Sequence, residues 1–370
     1  MKIKTITCHH VYNHGAMLQA YALVTYLRSL GHEVEIIDYR PPYQPGCKVE
    51  RDNVPPRYRK PVVAQLYKFA KRGASDLEQR RRDVYERFFS SYLPITKEQY
   101  CSVDELRANP PKADIYIAGS DQIWNTSFPN GTDAAFYLDF GTPARKISYA
   151  ASFATTSLRM GTETFVKEKL RNFDAISVRE ESALRLLDQL GFEGAEVVDP
   201  VFLLDKSEWD KLCNNTGEGD EYILTYDYEK RNSPIGTVAK RLAKLRDCKI
   251  YTVAPFNLGY ADRCFVAVEP RDFVSLVKNA RCVVSNSFHG SAFSMIYGKE
   301  FFVVNRKDGL NVRMHDLLAR YSVGGRLISE AMSSSALMAT IDYEKVDELL
   351  RKDIIASQRF LQTQIDTASL

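Results

Sequence analysis

The chain has 370 residues, 45% hydrophobic and 26% charged, with a formal net charge of +3. That length suits two domains, each able to bury its own core, and so small a charge, with no nucleic-acid-binding signature, argues against a DNA or RNA partner. Seven scattered cysteines without a CxxC pair exclude a disulfide framework or a zinc site, and no apolar run is long enough to span a membrane.

Strands and helices alternate along the chain. Ile3–Cys8 reads as a first strand, too short and polar for a signal peptide, so a cytoplasmic protein is expected. Ala16–Leu30 is an amphipathic helix stopped at Gly31, and Val34–Asp38 a second strand. Proline pairs then mark a detour, a helical insertion over about 41–112, with helices at Pro61–Arg72 and Asp76–Tyr92. Strands resume at Asp114–Ala118 and Lys146–Ala150. They are followed by helix Thr162–Asn172, strand Ala175–Val178, helix Glu181–Leu190 and strand Glu196–Val198. After a boundary near Asp199-Pro200 a second series begins: strand Tyr222–Tyr226, helix Pro234–Leu245, strand Lys249–Val253, helix Arg271–Asn279 and strand Cys282–Ser285. A helix over Ser291–Tyr297, strand Phe301–Val304 and helix Val312–Tyr321 complete it. Tyr343–Gln364 is a long tail helix with a kink expected near Asp353. The fold class is α/β, with two Rossmann-like domains (1–203 and 204–342) facing a cleft and a C-terminal helix over 343–370.

In such sheets ligands bind at the carboxyl ends of the strands, and four strand-to-helix turns qualify. Asn13-His14-Gly15 offers an N-cap and a glycine that admits close approach; plain helix capping is the alternative that a lone glycine turn favours. Gly119-Ser120-Asp121-Gln122, followed by Trp124, offers an acceptor for hydroxyl protons and an indole face for a sugar ring. Against that stands Asp121 as a turn residue and Trp124 as core. Ser177-Val178-Arg179 places a guanidinium at a strand end, where it clamps a carboxylate or phosphate unless Glu180 or Glu181 neutralises it. Ser287-Phe288-His289-Gly290 places a histidine beside a helix N-terminus that favours anions, the arrangement an acid/base step on a phosphorylated substrate needs. A capping or packing histidine is the alternative.

These motifs, in this order with Leu18-Gln19-Ala20-Tyr21, Ile123-Trp124-Asn125 and Asp199-Pro200, resemble the polysaccharide pyruvyl transferase family from about residue 3 to residue 325. The resemblance implies a fold similar to B-type glycosyltransferases. It also implies transfer of an enolpyruvyl unit from phosphoenolpyruvate to a sugar of a cell-surface or capsular polysaccharide precursor, usually ending as a pyruvate ketal. Some members carry an arginine two residues before the histidine. Here Ser287 stands there, so the positive charge is expected from Arg306, Arg313 or Arg263.

Phosphoenolpyruvate carries a carboxylate and a phosphate, so its site needs fixed positive charge and helix N-termini. His289 suits the proton donor and Asp121 the group that orients or deprotonates the acceptor hydroxyl. Asn13, Gly15, Ser120, Gln122, Trp124, Arg179, Ser287 and Gly290 complete the expected site. No metal or other cofactor is expected, since no carboxylate or His/Cys cluster has ligand spacing. A nucleotide-sugar glycosyltransferase and a non-catalytic sugar-phosphate binding protein fit the same architecture.

Residues 57–82 are the most basic stretch, with nine lysines and arginines and an apolar helical face beginning near Pro61. If the acceptor is a lipid-linked sugar, this segment suits the inner face of an anionic membrane. An amphipathic helix packed on the first domain is the alternative.

Overall fold

The computed structural model describes residues 1–44, 72–141, 143–227, 233–306, 311–329 and 332–368. The helix expected at Pro61–Arg72, and with it most of the basic stretch, lies outside them but for its last residue.

Short, apolar, β-branched runs form two parallel sheets, each covered by helices on both faces. The first half runs β1 (Lys2–Ile6), α1 (His14–Ser29), β2 (Glu33–Tyr39), α2 (Arg72–Tyr92), β3 (Ile95–Tyr100), α3 (Val103–Ala108), β4 (Ile115–Ala118), β5 (Arg145–Ser148), α4 (Glu163–Leu170), β6 (Ser177–Val178), α5 (Glu181–Leu190) and β7 (Ala195–Glu196). The strand order is β3-β2-β1-β4-β5. Bridges from Ile147 to Ala175 and from Ala151 to Val178 join the β6-β7 pair onto β5. The expected helical insertion over 41–112 needs correcting. Ile95–Tyr100 is a strand, the edge of this sheet, partly exposed and therefore too polar to announce itself. Helix α2 buries Val84, Tyr85, Phe88 and Phe89 against the core, so its apolar face is occupied by the protein itself.

A turn at Pro200–Leu203 and helix α6 (Lys206–Leu212) lead into the second half. It comprises β8 (Tyr222–Tyr226), α7 (Ile235–Arg246), β9 (Lys249–Val253), β10 (Arg263–Phe265), α8 (Pro270–Asn279), β11 (Cys282–Ser285), α9 (Phe288–Ile296), β12 (Glu300–Val304), α10 (Val312–Arg320), β13 (Leu327–Ile328), α11 (Ser334–Met338) and α12 (Tyr343–Thr367). Its strand order is β10-β9-β8-β11-β12-β13. In both sheets the order reverses beside the first strand, between β1 and β4 and between β8 and β11. The crevices at those two reversals are where an open α/β sheet binds ligands.

The ties between the halves include one at the front and one at the back. At the front, His14 at the start of α1 meets the Tyr226 hydroxyl (3.1 Å), donates through Nε2 to the Val268 carbonyl (3.1 Å) and stacks on Phe273. At the back, α12 is one unbroken helix, with no interruption at Asp353, and it returns to the first half. The Ser357 hydroxyl accepts from the Val198 backbone N–H (2.9 Å) and Arg145 donates to Gln364 (2.6 Å). Arg320 on α10 holds both Asp353 on α12 and Glu196 on β7. No helix among the described residues is long and apolar enough to cross a membrane.

Candidate active site

The two crevices face each other and form one cleft. Asn13, Asp121 and Gln122 line it from the first half; Ser287, Phe288, His289, Arg306 and Arg313 line it from the second. Each stands at the carboxyl end of a strand or the start of the helix that follows, because short turns after buried parallel strands can project only there.

Helix α9 begins at Phe288, three residues earlier than expected, with Ser287 in the N-cap position. His289 is therefore in the first helical turn, with the dipole's positive end beside it. Its imidazole lies against α1, so closely that a β-carbon on Gly15 would come within 2.6 Å of Cε1. Glycine at 15 is thus a requirement of the histidine's position rather than a feature of the turn alone. Gly290 has a packing role: a β-carbon there would meet the Ser285 hydroxyl at 2.5 Å.

Behind the histidine lies a residue that the sequence reading gave no role. Asp199, fully buried, places Oδ2 3.6 Å from His289 Nε2, accepts from the Ser120 hydroxyl (3.2 Å) and pairs with Arg179 Nη1. Burial opposes its charge, but Arg179 and His289 outweigh burial and hold the carboxyl well below the usual range. The signal was present in Asp199-Pro200, but its meaning needs β4, β6 and α9 to converge.

Arg179 is buried behind the cleft wall, not on it. Its partner is Asp199 rather than Glu181, which pairs with Arg185 on the surface. Glu180 Oε2 stands 3.8 Å from Arg179 Nε, while Glu180 Oε1 accepts from the Ser152 hydroxyl and the Ala154 backbone N–H. The Arg179 guanidinium also lies 4.5 Å above the Phe288 ring and steadies the start of α9. Burial lowers its pKa, yet Asp199, Asp121 and Glu180 together raise it.

Arg313 is the cleft's own buried cation. Burial and the neighbouring Arg179 push it down to about 10, still charged at neutral pH. Its Nη1 lies 3.3 Å from Asp121 Oδ1. Arg306 shares this wall, whereas Arg263, the third candidate, is exposed on β10 with its guanidinium over Phe265. Positive charge is therefore supplied to the cleft by the loop after β12 and the start of α10.

Three further expected residues have structural duties. Asn13 caps α1 by accepting from the Ala16 N–H (3.1 Å) while also lining the cleft. Ser120 lies beneath the wall on Asp199. Trp124 corrects the expectation of a sugar platform: it is fully buried, stacked on Tyr137 at 5.5 Å, with Nε1 donating to the Phe136 carbonyl. The 3₁₀ turns at Pro129–Thr132 and Ala134–Tyr137 fold across it. Among the described residues no group of three His, Cys, Asp or Glu side chains could hold a metal ion.

The sequence matches the polysaccharide pyruvyl transferase family over residues 13–308. The chain belongs to that family. A search of curated proteins finds no match. Among solved structures, Arabidopsis thaliana UGT89C1 superimposes with a TM-score of 0.53 at 10% identity, covering 100% of this chain and 99% of that one. The UDP-GlcNAc 2-epimerase from Methanocaldococcus jannaschii gives 0.51 at 12%, covering 96% and 93%. At such identities the likeness is one of fold: this pyruvyl transferase family member has the two-sheet architecture of the GT-B glycosyltransferases and the UDP-GlcNAc 2-epimerases.

Proposed function

We propose that this family member transfers the enolpyruvyl unit of phosphoenolpyruvate to a hydroxyl of a sugar in a surface-polysaccharide precursor, and that a second hydroxyl closes a pyruvate ketal. The observation that carries the reading is a histidine at a helix N-terminus, backed by a buried carboxylate, in a cleft that also holds Arg306 and Arg313. That set suits a small dianion or trianion better than a neutral sugar alone.

Arg306 and Arg313, with the α9 N-terminus, bind the donor's carboxylate and phosphate. His289 delivers a proton to the methylene carbon, and C2 becomes electrophilic. Asp199 keeps the imidazole oriented, as a buried carboxylate does for a catalytic histidine. The acceptor hydroxyl attacks C2 and its proton passes to Asp121. The C2–O bond to phosphate then breaks, a second sugar hydroxyl takes its place, and phosphate leaves with that hydroxyl's proton.

Incubation with phosphoenolpyruvate and a panel of pyranose acceptors, following phosphate release and the gain of a pyruvyl mass, tests the proposal. Turnover of a nucleotide sugar with none of phosphoenolpyruvate would overturn it in favour of glycosyl transfer.

A further inference from the structure

Asp121 is placed against the very groups that the donor needs. Its Oδ1 lies 3.3 Å from Arg313 Nη1 and 3.7 Å from Arg179 Nη2. Neither contact is the planar two-bond fork that makes an arginine–carboxylate pair strong. Arg179 Nη2 and Arg313 Nε are buried without a hydrogen-bond partner, so both guanidiniums retain unused donor capacity towards an anion. One loosely held carboxylate stands between two buried cations.

The backbone beneath that carboxylate is fixed. Asp121 has φ of +72°, in the left-handed region that non-glycine residues seldom occupy. Its carbonyl accepts from the N–H groups of Ile123 (2.8 Å) and Ser152 (3.0 Å), and it bridges to Ala151. Only the side-chain torsions can change, and turning them moves the carboxylate off the arginines while the Cα stays on the cleft wall.

We infer that Asp121 is an internal rival of the donor: its carboxylate competes with an anionic group of phosphoenolpyruvate for Arg313, with Arg179 behind the wall adding its charge, and donor binding displaces it towards the acceptor hydroxyl. The inference rests on the reading of phosphoenolpyruvate as donor. No covalent step is involved; one carboxylate is exchanged for another anion on the same cations. The displaced carboxylate is then free to face the acceptor hydroxyl. The base is thereby armed only when the electrophile is present, and the donor must bind before the acceptor can be used.

Asp121→Asn is the test, since asparagine tolerates the left-handed backbone and keeps the shape without the charge. Calorimetric titration should show the dissociation constants of inorganic phosphate and of phosphoenolpyruvate falling by about tenfold, the effect of one modest charge-assisted hydrogen bond removed from the competition. Turnover should fall by on the order of a hundredfold or more, since the base is gone. Unchanged or weaker phosphate binding in a folded variant overturns the inference. Tightened phosphate binding, with phosphoenolpyruvate bound by neither protein, would remove the donor assignment and leave the rivalry standing. A crystal structure of the phosphoenolpyruvate complex supplies the second measurement, independent of the variant. Asp121 should stand clear of Arg313 with the ligand's anion in its place; Asp121 still on Arg313, and the anion elsewhere, overturns the inference.

Discussion

Gly15 and His289 touch across the two halves of the molecule: any β-carbon on residue 15 would run into the imidazole ring. The first half thus dictates where the second half's histidine can stand. Gly15→Ala is expected to displace His289 and lower kcat by about a hundredfold, because errors of about 1 Å in a reacting group carry that cost. The helix itself should survive, alanine being the better helix former. Steady-state kinetics beside a thermal melt will separate the two effects, and an unchanged kcat would show that the ring position does not matter.

His289→Gln should lower turnover by roughly 10²–10⁴-fold, the usual cost of removing a general acid or base. Asp199 keeps its stronger partner Arg179 when His289 is replaced, so the fold should tolerate the change. Phosphate release from phosphoenolpyruvate is the assay; near wild-type turnover by a folded variant would dismiss the proton-donor role.

Arg179→Lys separates clamp from scaffold. The guanidinium is buried on Asp199 and over the Phe288 ring, and an ammonium cannot reproduce its fork. A loss of about 1–3 kcal/mol in stability is expected from the weakened buried hydrogen bonds. Denaturant unfolding measures that, and full retention of stability would leave the pairing without structural weight. A kcat decrease is expected to accompany it, through misalignment of Asp199 and α9.

Trp124→Ala should cost about 3–5 kcal/mol, as large-to-small changes in a packed core do. Trp124→Phe should fold with an unchanged KM for the sugar. A raised acceptor KM in Trp124→Phe would restore the indole to the binding surface.

Acid should loosen the contact between the halves through His14. Burial lowers its pKa from 6.5 to about 4, so between those values the unfolded chain binds the extra proton and the folded one does not. Stability therefore falls as pH drops from about 6.5 to about 4 and levels off below, by about 3 kcal/mol from this residue alone. Burial lowers His9 as well and adds in the same direction. His14→Gln should be less stable at neutral pH but show a shallower decline on acidification. Urea melts at pH 7 and pH 4.5 would reveal it; parallel declines in the two proteins would refute the assignment.

The alternation of strands and helices could be read because both sheets are parallel and covered on both faces. Tyr222–Tyr226 and Cys282–Ser285 fall on their expected residues, being continuous apolar runs. Ile95–Tyr100 escaped because an edge strand needs only one neighbour and carries Lys97 and Glu98 towards water. The cleft residues at strand ends were legible for the same topological reason. Asp199 was not, and for Trp124 core and binding surface both stood open. A buried ion pair belongs to distant segments, and a tryptophan's surroundings are settled by the turns that close over it.

The return of α12 to the first half also sets the order of assembly. Leu361 and Ile365 are buried in the core that contains β1, α1 and β5 residues, and Ser357 satisfies the Val198 N–H. During synthesis the first half must therefore wait, with part of its apolar surface uncovered, until the chain beyond residue 343 has left the ribosome. A nascent chain stalled before that point should bind chaperones and resist compaction. The covering of that surface thus depends on a helix that follows the whole of the second half.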